Sequence, residues 1–143
     1  WREELAPPSS GTSANYITFG AYGTGDKPRI LGSEKATGWT ATGTANIWQS
    51  NNGYDNPATI GWQADCFFEV TKDNIVWGDY KAYQVGFGNM LEEFDWCWNG
   101  TTMYVYCTSD PDSAYYSVEV PQRHTCVYLN EKNYVAFDNI TVR

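Results

Sequence analysis

Residues 94–107 read FDWCWNGTTMYVYC. Asn99-Gly100 lies between two runs of alternating character, and this is a strong signal of a β-hairpin because both residues tolerate positive φ. Residues that lie opposite each other in such a hairpin share one face of the sheet. The pattern predicts a core face and an opposite face for the two strands. The predicted core face is formed by Phe94, Trp96, Trp98, Met103, Val105 and Cys107, and the opposite face by Asp95, Cys97, Tyr104 and Tyr106.

The rest of the chain alternates short β-rich runs with turn residues, which indicates an all-β protein. One helix of one or two turns is expected at residues 88–94. Further strands are predicted at residues 16–22, 28–32, 66–70, 74–77, 82–87, 116–120, 125–130 and 134–142, with two short ones between residues 38 and 48.

The composition favours a recognition function. Aromatic residues make up 17% of the 143 residues and charged residues 18%, against about 25% charged in typical globular domains. Seven Trp and eleven Tyr are more large rings than one small core needs. Rings with a polar tip are enriched at surfaces that bind a ligand.

The charge narrows the class of ligand. Nine Lys and Arg face seventeen Asp and Glu, for a formal net charge of −8. This charge repels nucleic acid and anionic membrane surfaces, because both are bound through cationic side chains. It also disfavours an anionic polysaccharide unless calcium bridges the charges, and no other cofactor is indicated. A neutral polysaccharide is the expected ligand.

The cysteines indicate the compartment. Cys66, Cys97, Cys107 and Cys126 form no C-x-x-C pair, and a single histidine makes a zinc site improbable. An even number of cysteines without metal spacing predicts two disulfides of open connectivity, and therefore a secreted protein. The alternative is four free, buried thiols that pack as small hydrophobic side chains.

Residues 11–30 read GTSANYITFGAYGTGDKPRI and follow WREEL at residues 1–5. Together they resemble the opening coil of bacterial right-handed parallel β-helix proteins of the pectate-lyase-like superfamily. In that family a GTxxxPITFGAYGTGxKPxIxG stretch follows GDTWRE, with Pro often at the position of Tyr16. Residues 38–48, with Gly38-Trp39-Thr40 and Asn46-Ile47-Trp48, also resemble the segment that comes next in the family.

The resemblance implies the start of a right-handed parallel β-helix that carries an antiparallel β excursion, the hairpin at residues 96–106 being part of it. Residues 1–143 would then form a single β domain, a fragment of a longer protein. The resemblance also implies association with polysaccharide, as in lyases, glycoside hydrolases and carbohydrate-binding modules linked to enzymes such as xylanases. It transfers no catalytic residue, because active sites of the family lie on later coils. A β-sandwich is the competing architecture, since it has the same pattern of many short strands.

Aromatic side chains in loop-like segments are the candidate ligand-binding residues. Flat indole and phenol faces pack against the C–H faces of sugar rings, and each ring contributes about 1.5–3 kcal/mol of apolar contact. The alternative for each ring is a structural role at the end of a sheet. The candidates are Trp39, Trp48, Tyr54, Trp62, Trp77 and Tyr80.

The sequence supports candidate catalytic groups less well than candidate ligand-binding residues. Glu92, Glu93 and Asp95, or Asp110 and Asp112, contain the carboxylates that glycoside hydrolysis needs, but their spacing does not fix the required separation. The Asp-Pro-Asp-Ser sequence at residues 110–113 is typical of a turn. His124 has no nucleophile or orienting partner placed beside it by the sequence.

The sequence therefore predicts a non-catalytic module that binds a neutral plant cell-wall polysaccharide, with xylan as the first choice. Such a module would raise the local concentration of a linked glycoside hydrolase. One alternative is the N-terminal segment of a polysaccharide lyase or hydrolase. Another is a surface or assembly protein whose open strand edge stacks on another chain.

Overall fold

The computed structural model describes residues 1–60 and 65–143, and these residues form an all-β protein. The strands are β1 (Ile17–Gly20), β2 (Arg29–Ile30), β3 (Ser33–Ala36), β4 (Thr40–Ala41), β5 (Ile47–Ser50), β6 (Phe67–Thr71), β7 (Asn74–Trp77), β8 (Asp79–Tyr80), β9 (Asp95–Asn99), β10 (Thr102–Tyr106), β11 (Ser117–Pro121), β12 (Val135–Asp138) and β13 (Thr141–Val142). A four-residue helix α1 (Pro111–Ala114) and a 3₁₀ turn (Pro57–Thr59) complete the elements.

The chain divides into two compact units. The first, the terminal unit, contains residues 1–33 and 123–143, and the second, the central unit, contains residues 34–122. The central unit is therefore an insertion between the two halves of the terminal unit. The single domain over residues 1–143 stays a prediction.

The terminal unit is built from parallel strand pairs. β1 pairs with β12 in the register Ile17 to Val135, and β2 pairs with β13 in the register Arg29 to Thr141. A parallel bridge also joins Leu5 to Val127. The three pairings follow the same order along both segments, so residues 5–30 and 127–142 run side by side in the same direction.

Like side chains lie over each other in these pairs. The rings of Phe19 and Phe137 are stacked, with centroids 5.7 Å apart and an interplanar angle of 18°. The rings of Tyr16 and Tyr134 meet edge to face at 5.7 Å. Such aligned aromatic pairs stabilise the parallel pairing beyond the backbone hydrogen bonds.

The central unit contains two sheets. A five-stranded sheet has the order β4-β5-β10-β9-β8, and a four-stranded sheet has the order β3-β11-β6-β7. The pairs β5–β10, β9–β10, β6–β7 and β6–β11 are antiparallel, while β8 is parallel to β9. Gly78 separates β7 in one sheet from β8 in the other, so a single extended segment contributes to both.

Both sheets contribute to one main core cluster. Phe68, Val118 and Val120 come from the four-stranded sheet, and the indoles of Trp96 and Trp98 come from the five-stranded sheet. Burial of such large apolar surface is the dominant stabilising contribution in a domain of this size. The full set of buried members is Ala36, Trp39, Tyr54, Cys66, Phe68, Trp96, Trp98, Met103, Val105, Val118 and Val120.

The hairpin predicted at residues 94–107 is confirmed, with its two faces as expected. Met103 pairs with Trp98, and Val105 pairs with Trp96, on the core face. The loop, however, is Gly100-Thr101 rather than Asn99-Gly100, and Gly100 has φ of 67° as the first central residue of a type II′ turn requires. A loop moved by one residue changes each pairing by two positions. The two-residue period then returns each side chain to its predicted face.

The helix expected at residues 88–94 and the strand expected at 82–87 are wrong. This segment consists of turns instead. The carboxylate of Asp95 accepts hydrogen bonds from the backbone N–H groups of Leu91 and Glu92, at 2.8 and 3.0 Å, and Phe94 has φ of 74°. Asx-type bonding to nearby backbone competes with helical hydrogen bonding. The helix forms at α1 instead, where Asp110 caps Pro111–Ala114.

All four cysteines are free thiols, so the predicted pair of disulfides is wrong. Cys66, Cys97 and Cys107 are buried as the alternative expected, while Cys126 is only partly buried. Cys66 belongs to the main core, while Cys97 lies on the opposite side of the five-stranded sheet with its Sγ 3.3 Å from Met90 Sδ. The sheet itself therefore separates these two thiols. Burial raises the pKa of Cys97 to about 12, so the thiol is unreactive at neutral pH.

Among the described residues, none of the helices is long and apolar enough to cross a membrane.

Candidate functional site

Two of the predicted ligand-binding residues belong to the core. Trp39 is 6% exposed and Tyr54 is 8% exposed. Asp112 Oδ2 accepts from the backbone N–H of Gly38 at 3.1 Å, which fixes the segment that carries Trp39 inward. The hydroxyl of Tyr54 donates to the carbonyl oxygen of Lys35 at 3.1 Å. Neither ring offers a free face for a ligand.

Trp77 and Tyr80 are the two predicted residues with exposed rings. Trp77 is 66% exposed and contacts Phe67 edge to face, while Tyr80 is 42% exposed and packs on Trp96 with centroids 4.8 Å apart. They lie in strands of different sheets. Their rings pack on different partners, Phe67 and Trp96, and Trp62 lies outside the described residues.

Trp48 is half-buried and lies at the edge of a groove. Its indole N–H donates to the carbonyl oxygen of Cys107 at 3.0 Å, and the ring packs partly against the main core. The groove has a volume of about 330 Å³ and lies beside the connection from β4 to β5. We call it the β4–β5 groove, and its walls include Ala41, Gly43, Thr44, Asn46, Trp48 and Thr108.

The five-stranded sheet also has an outer face, turned away from the main core. Tyr104 lies on it, opposite Gln49 of β5, and Gln49 lies opposite Thr40 of β4. Directly opposed residues have Cβ atoms about 4.5–5.5 Å apart, so the Gln49 amide lies beside the phenol ring. The Thr40 hydroxyl lies beside that amide, one strand further from the ring. Tyr106 occupies the same face two residues further along β10.

Loop residues support the ring of Tyr104. Phe87 lies 4.8 Å from it and Tyr83 lies 5.8 Å from it, measured between centroids. Tyr83 is 38% exposed. Burial, together with the neighbouring Tyr83, raises the pKa of Tyr104, so its hydroxyl is protonated and can donate a hydrogen bond. We call Tyr83, Tyr104, Tyr106, Gln49 and Thr40 the tyrosine face.

Asn46 joins the tyrosine face to the β4–β5 groove. Its side-chain amide donates to the hydroxyl of Tyr106 at 2.8 Å, and the same residue lines the groove. Asn46 has φ of 62° in the turn between β4 and β5, a conformation that Asn tolerates better than most residues. The backbone N–H of Cys107 donates to the Asn46 carbonyl at 2.8 Å and fixes this turn on β10.

Glu93 links Thr108 and Tyr115 by hydrogen bonds beside the groove. Its carboxylate accepts from the backbone N–H and the hydroxyl of Thr108, at 2.9 and 2.6 Å, and from the hydroxyl of Tyr115 at 2.5 Å. Partial burial raises the pKa of Glu93, but the hydrogen bonds from Thr108 and Tyr115 outweigh it and lower the pKa overall. A carboxyl group that is ionised so readily is a poor proton donor for catalysis.

Three of the other predicted carboxylates, Asp95, Asp110 and Asp112, also have structural roles, while Glu92 is exposed. Asp95 fixes the turn that precedes β9 and lies 3.4 Å from Lys81 Nζ. Asp110 caps α1, and Asp112 holds the backbone before Trp39. These contacts correspond to the structural alternative for the paired carboxylates.

His124 is solvent-exposed. Within residues 1–60 and 65–143, there is no group of three or more His, Cys, Asp or Glu side chains that could hold a metal ion.

Sequence reasoning did not select the tyrosine face as a candidate site. The alternation in residues 102–106 placed Tyr104 and Tyr106 away from the core, which was the available signal. Only the fold shows that Gln49 and Thr40, from distant segments, lie in register beside them.

No protein-family model, no curated protein and no solved structure matches the chain significantly. The resemblance to the pectate-lyase-like superfamily stays a prediction.

Proposed function

We propose that this protein binds a neutral polysaccharide on the tyrosine face, without catalysing its cleavage. The observation that carries the proposal is the cross-strand row of Tyr104, Gln49 and Thr40 on the outer face of the five-stranded sheet. It places a phenol ring, an amide and a hydroxyl side by side on a regular scaffold. This is the combination of groups that a flat, hydroxyl-rich ring can contact on one side.

The physical basis is stacking with lateral hydrogen bonding. The apolar face of a sugar ring packs on the phenol, and each well-packed ring contributes about 1.5–3 kcal/mol. Gln49 can both donate to and accept from sugar hydroxyls. Side chains held in sheet register lose little conformational freedom when the ligand binds, which favours affinity.

The charge supports a neutral ligand. Every side chain of the tyrosine face is uncharged, and the chain has a formal net charge of −8. An anionic chain would be repelled by the field of the protein, and the five residues of the tyrosine face offer it no cation. We therefore retain a neutral plant cell-wall glycan such as xylan as the proposed ligand.

For the fold, we propose that the terminal unit contains two stacked coils of a right-handed parallel β-helix. Three parallel pairings in one order, and the stacked Phe19 and Phe137, support this proposal. The central unit would be the antiparallel excursion between the coils. Its two sheets with a shared core resemble the β-sandwich alternative, confined to residues 34–122.

We also propose a secreted location and a linked glycoside hydrolase as a partner, because a polysaccharide ligand is found outside the cell. With free thiols in the structure, this proposal depends on the ligand and no longer on disulfides. A module of this kind would act by keeping the enzyme near its insoluble substrate.

Affinity electrophoresis tests the proposed function. The protein should be retarded in gels that contain xylan or a neutral glucan and should migrate freely in pectin. Tyr104→Ala should abolish the retardation, while Tyr22→Ala, which removes an exposed tyrosine of the terminal unit, should leave it unchanged. Circular dichroism checks that both variants fold.

Gln49→Ala, which leaves the ring cluster of Tyr104 intact, serves as a second variant if Tyr104→Ala does not fold. It should weaken the retardation. Free migration of the wild-type protein on every neutral glycan would overturn the proposal, and so would equal retardation of Gln49→Ala and the wild type.

A further inference from the structure

We infer that the β4–β5 groove binds one neutral sugar ring of the glycan, with the indole of Trp48 as its apolar wall. This inference depends on the proposed function and extends it from a flat surface to a specific subsite. The ring would belong to a glycan that continues from the tyrosine face across Asn46 into the groove.

The size of the groove fits a small ring. Its volume of about 330 Å³ is at the lower end of the roughly 300–1,000 Å³ that small-molecule pockets span. Several of the residues that line it, including Gly43 and Ala45, have little or no side chain. The backbone can therefore approach the ligand closely.

The lining has the chemistry of a sugar site. Trp48 supplies an aromatic surface, while Thr44, Asn46 and Thr108 supply hydroxyl and amide groups. An aromatic wall with a few converging polar groups is the usual composition of a small-molecule site. Among the predicted ligand-binding rings that the structure describes, the indole of Trp48 is the one that lines this groove.

The charge around the groove selects against acidic sugars. Each residue that lines it is uncharged. Thr108 is hydrogen-bonded to Glu93, whose lowered pKa keeps a negative charge next to the groove at neutral pH. A uronate in the groove would be repelled by this carboxylate, and none of the described residues that line the groove carries a compensating cation.

Backbone and side-chain bonds pre-organise the groove. The backbone N–H of Thr42 donates to the carbonyl of Ile47 at 3.1 Å, and that of Ile47 donates to the carbonyl of Thr44 at 3.2 Å. The indole N–H of Trp48 is bonded to the carbonyl of Cys107. Rigid walls reduce the entropy lost on binding.

Asn46 contacts the tyrosine face and also lines the groove. One of its amide hydrogens is used in the bond to the Tyr106 hydroxyl. Its side chain has a second amide hydrogen and a carbonyl oxygen, which are suited to two neighbouring sugar hydroxyls. Trp48 lies opposite Val105 on the core-facing side of the sheet, so a glycan that stacks on Tyr104 would pass around the Asn46 turn to reach it.

Fluorine NMR of protein labelled with 5-fluorotryptophan tests the inference, with Trp48→Phe used to assign the Trp48 resonance. Saturation with xylohexaose should shift that resonance, whereas trigalacturonic acid at the same concentration should leave it in place. Ala45→Phe, which fills the groove from an exposed position, should weaken xylohexaose binding about tenfold. Ala14→Phe, at an exposed position of the terminal unit, should bind as the wild type does.

If the Trp48 resonance does not move while Tyr104-dependent binding persists, the inference that the groove binds a sugar ring is overturned. The proposed function then still stands. Unchanged xylohexaose affinity of Ala45→Phe would have the same consequence. An equal shift with trigalacturonic acid would overturn the neutral-ring assignment. Absence of binding to any neutral glycan would overturn the proposed function and the inference together.

Discussion

The two faces of the five-stranded sheet use aromatic residues in different ways. On the core face, the indoles of Trp96 and Trp98 are buried against Met103 and Val105. On the outer face, Tyr104 and Tyr106 are only partly buried. One set of rings is therefore buried in the main core, while the other set is partly exposed and is the one assigned to recognition by the proposed function. Substitutions on the two faces should have separable effects.

The largest effect is expected on the core face. Trp96 is 1% exposed, and Trp96→Ala should lower the free energy of unfolding by about 3–5 kcal/mol, because a large cavity replaces a packed ring. Urea denaturation measures this change. Trp77→Ala is the matched control, since its exposed ring should contribute less than about 1 kcal/mol. Equal losses for the two variants would contradict the distinction between core and surface indoles.

Substitution of Gly78 tests how closely the backbone approaches the same core. A Cβ atom at this position would lie 2.6 Å from Trp96 Cδ1 and 2.9 Å from Phe68 Cε2. Gly78→Ala should therefore destabilise the protein by about 1–3 kcal/mol through overpacking. Gly88→Ala, where the nearest atom is 3.5 Å away, should change stability by less than about 0.5 kcal/mol. Thermal denaturation of both variants would show whether the connection between the sheets requires glycine.

The face assignment of the central hairpin could be predicted because it depends on local alternation. The period of two determines which residues share a side of the sheet. The assignment of side chains to faces therefore stayed correct although the turn was predicted one residue too early. In the same way, the all-β class followed from many short β-rich runs between turn residues. Local pattern was sufficient for these features.

The burial of Trp39 and Tyr54 could not be predicted in this way. Both residues have Gly, Asn or Asp among their neighbours in the sequence, which suggested loops. Their positions depend on partners far along the chain, such as Asp112, which lies 74 residues after Gly38. The sequence likewise contains no local signal that β4 and β5 bring Thr40 and Gln49 beside Tyr104.

Substitution of Glu93 should have a smaller effect on the free energy of unfolding, and this effect should depend on pH. Glu93→Gln should lower stability by about 1 kcal/mol at neutral pH, because charge-assisted bonds from Thr108 and Tyr115 are weakened. Since the folded-state pKa is lowered, this stabilisation is complete above the usual glutamate pKa of 4.5 and is lost as the pH falls through the folded-state pKa. Urea denaturation of both proteins at several pH values measures the difference. A difference that grew toward acid pH would contradict the assignment.

The smallest effect on stability is expected for Tyr104→Phe, a substitution on the outer face. The ring and its contacts with Phe87 and Tyr83 remain, so the free energy of unfolding should change by less than about 0.5 kcal/mol. If stacking carries recognition, the variant should keep most of its retardation on xylan, while Tyr104→Ala loses it. Loss of binding in Tyr104→Phe would instead assign recognition to the hydroxyl. The outer face would then act as a row of hydrogen-bonding groups rather than as a stacking surface.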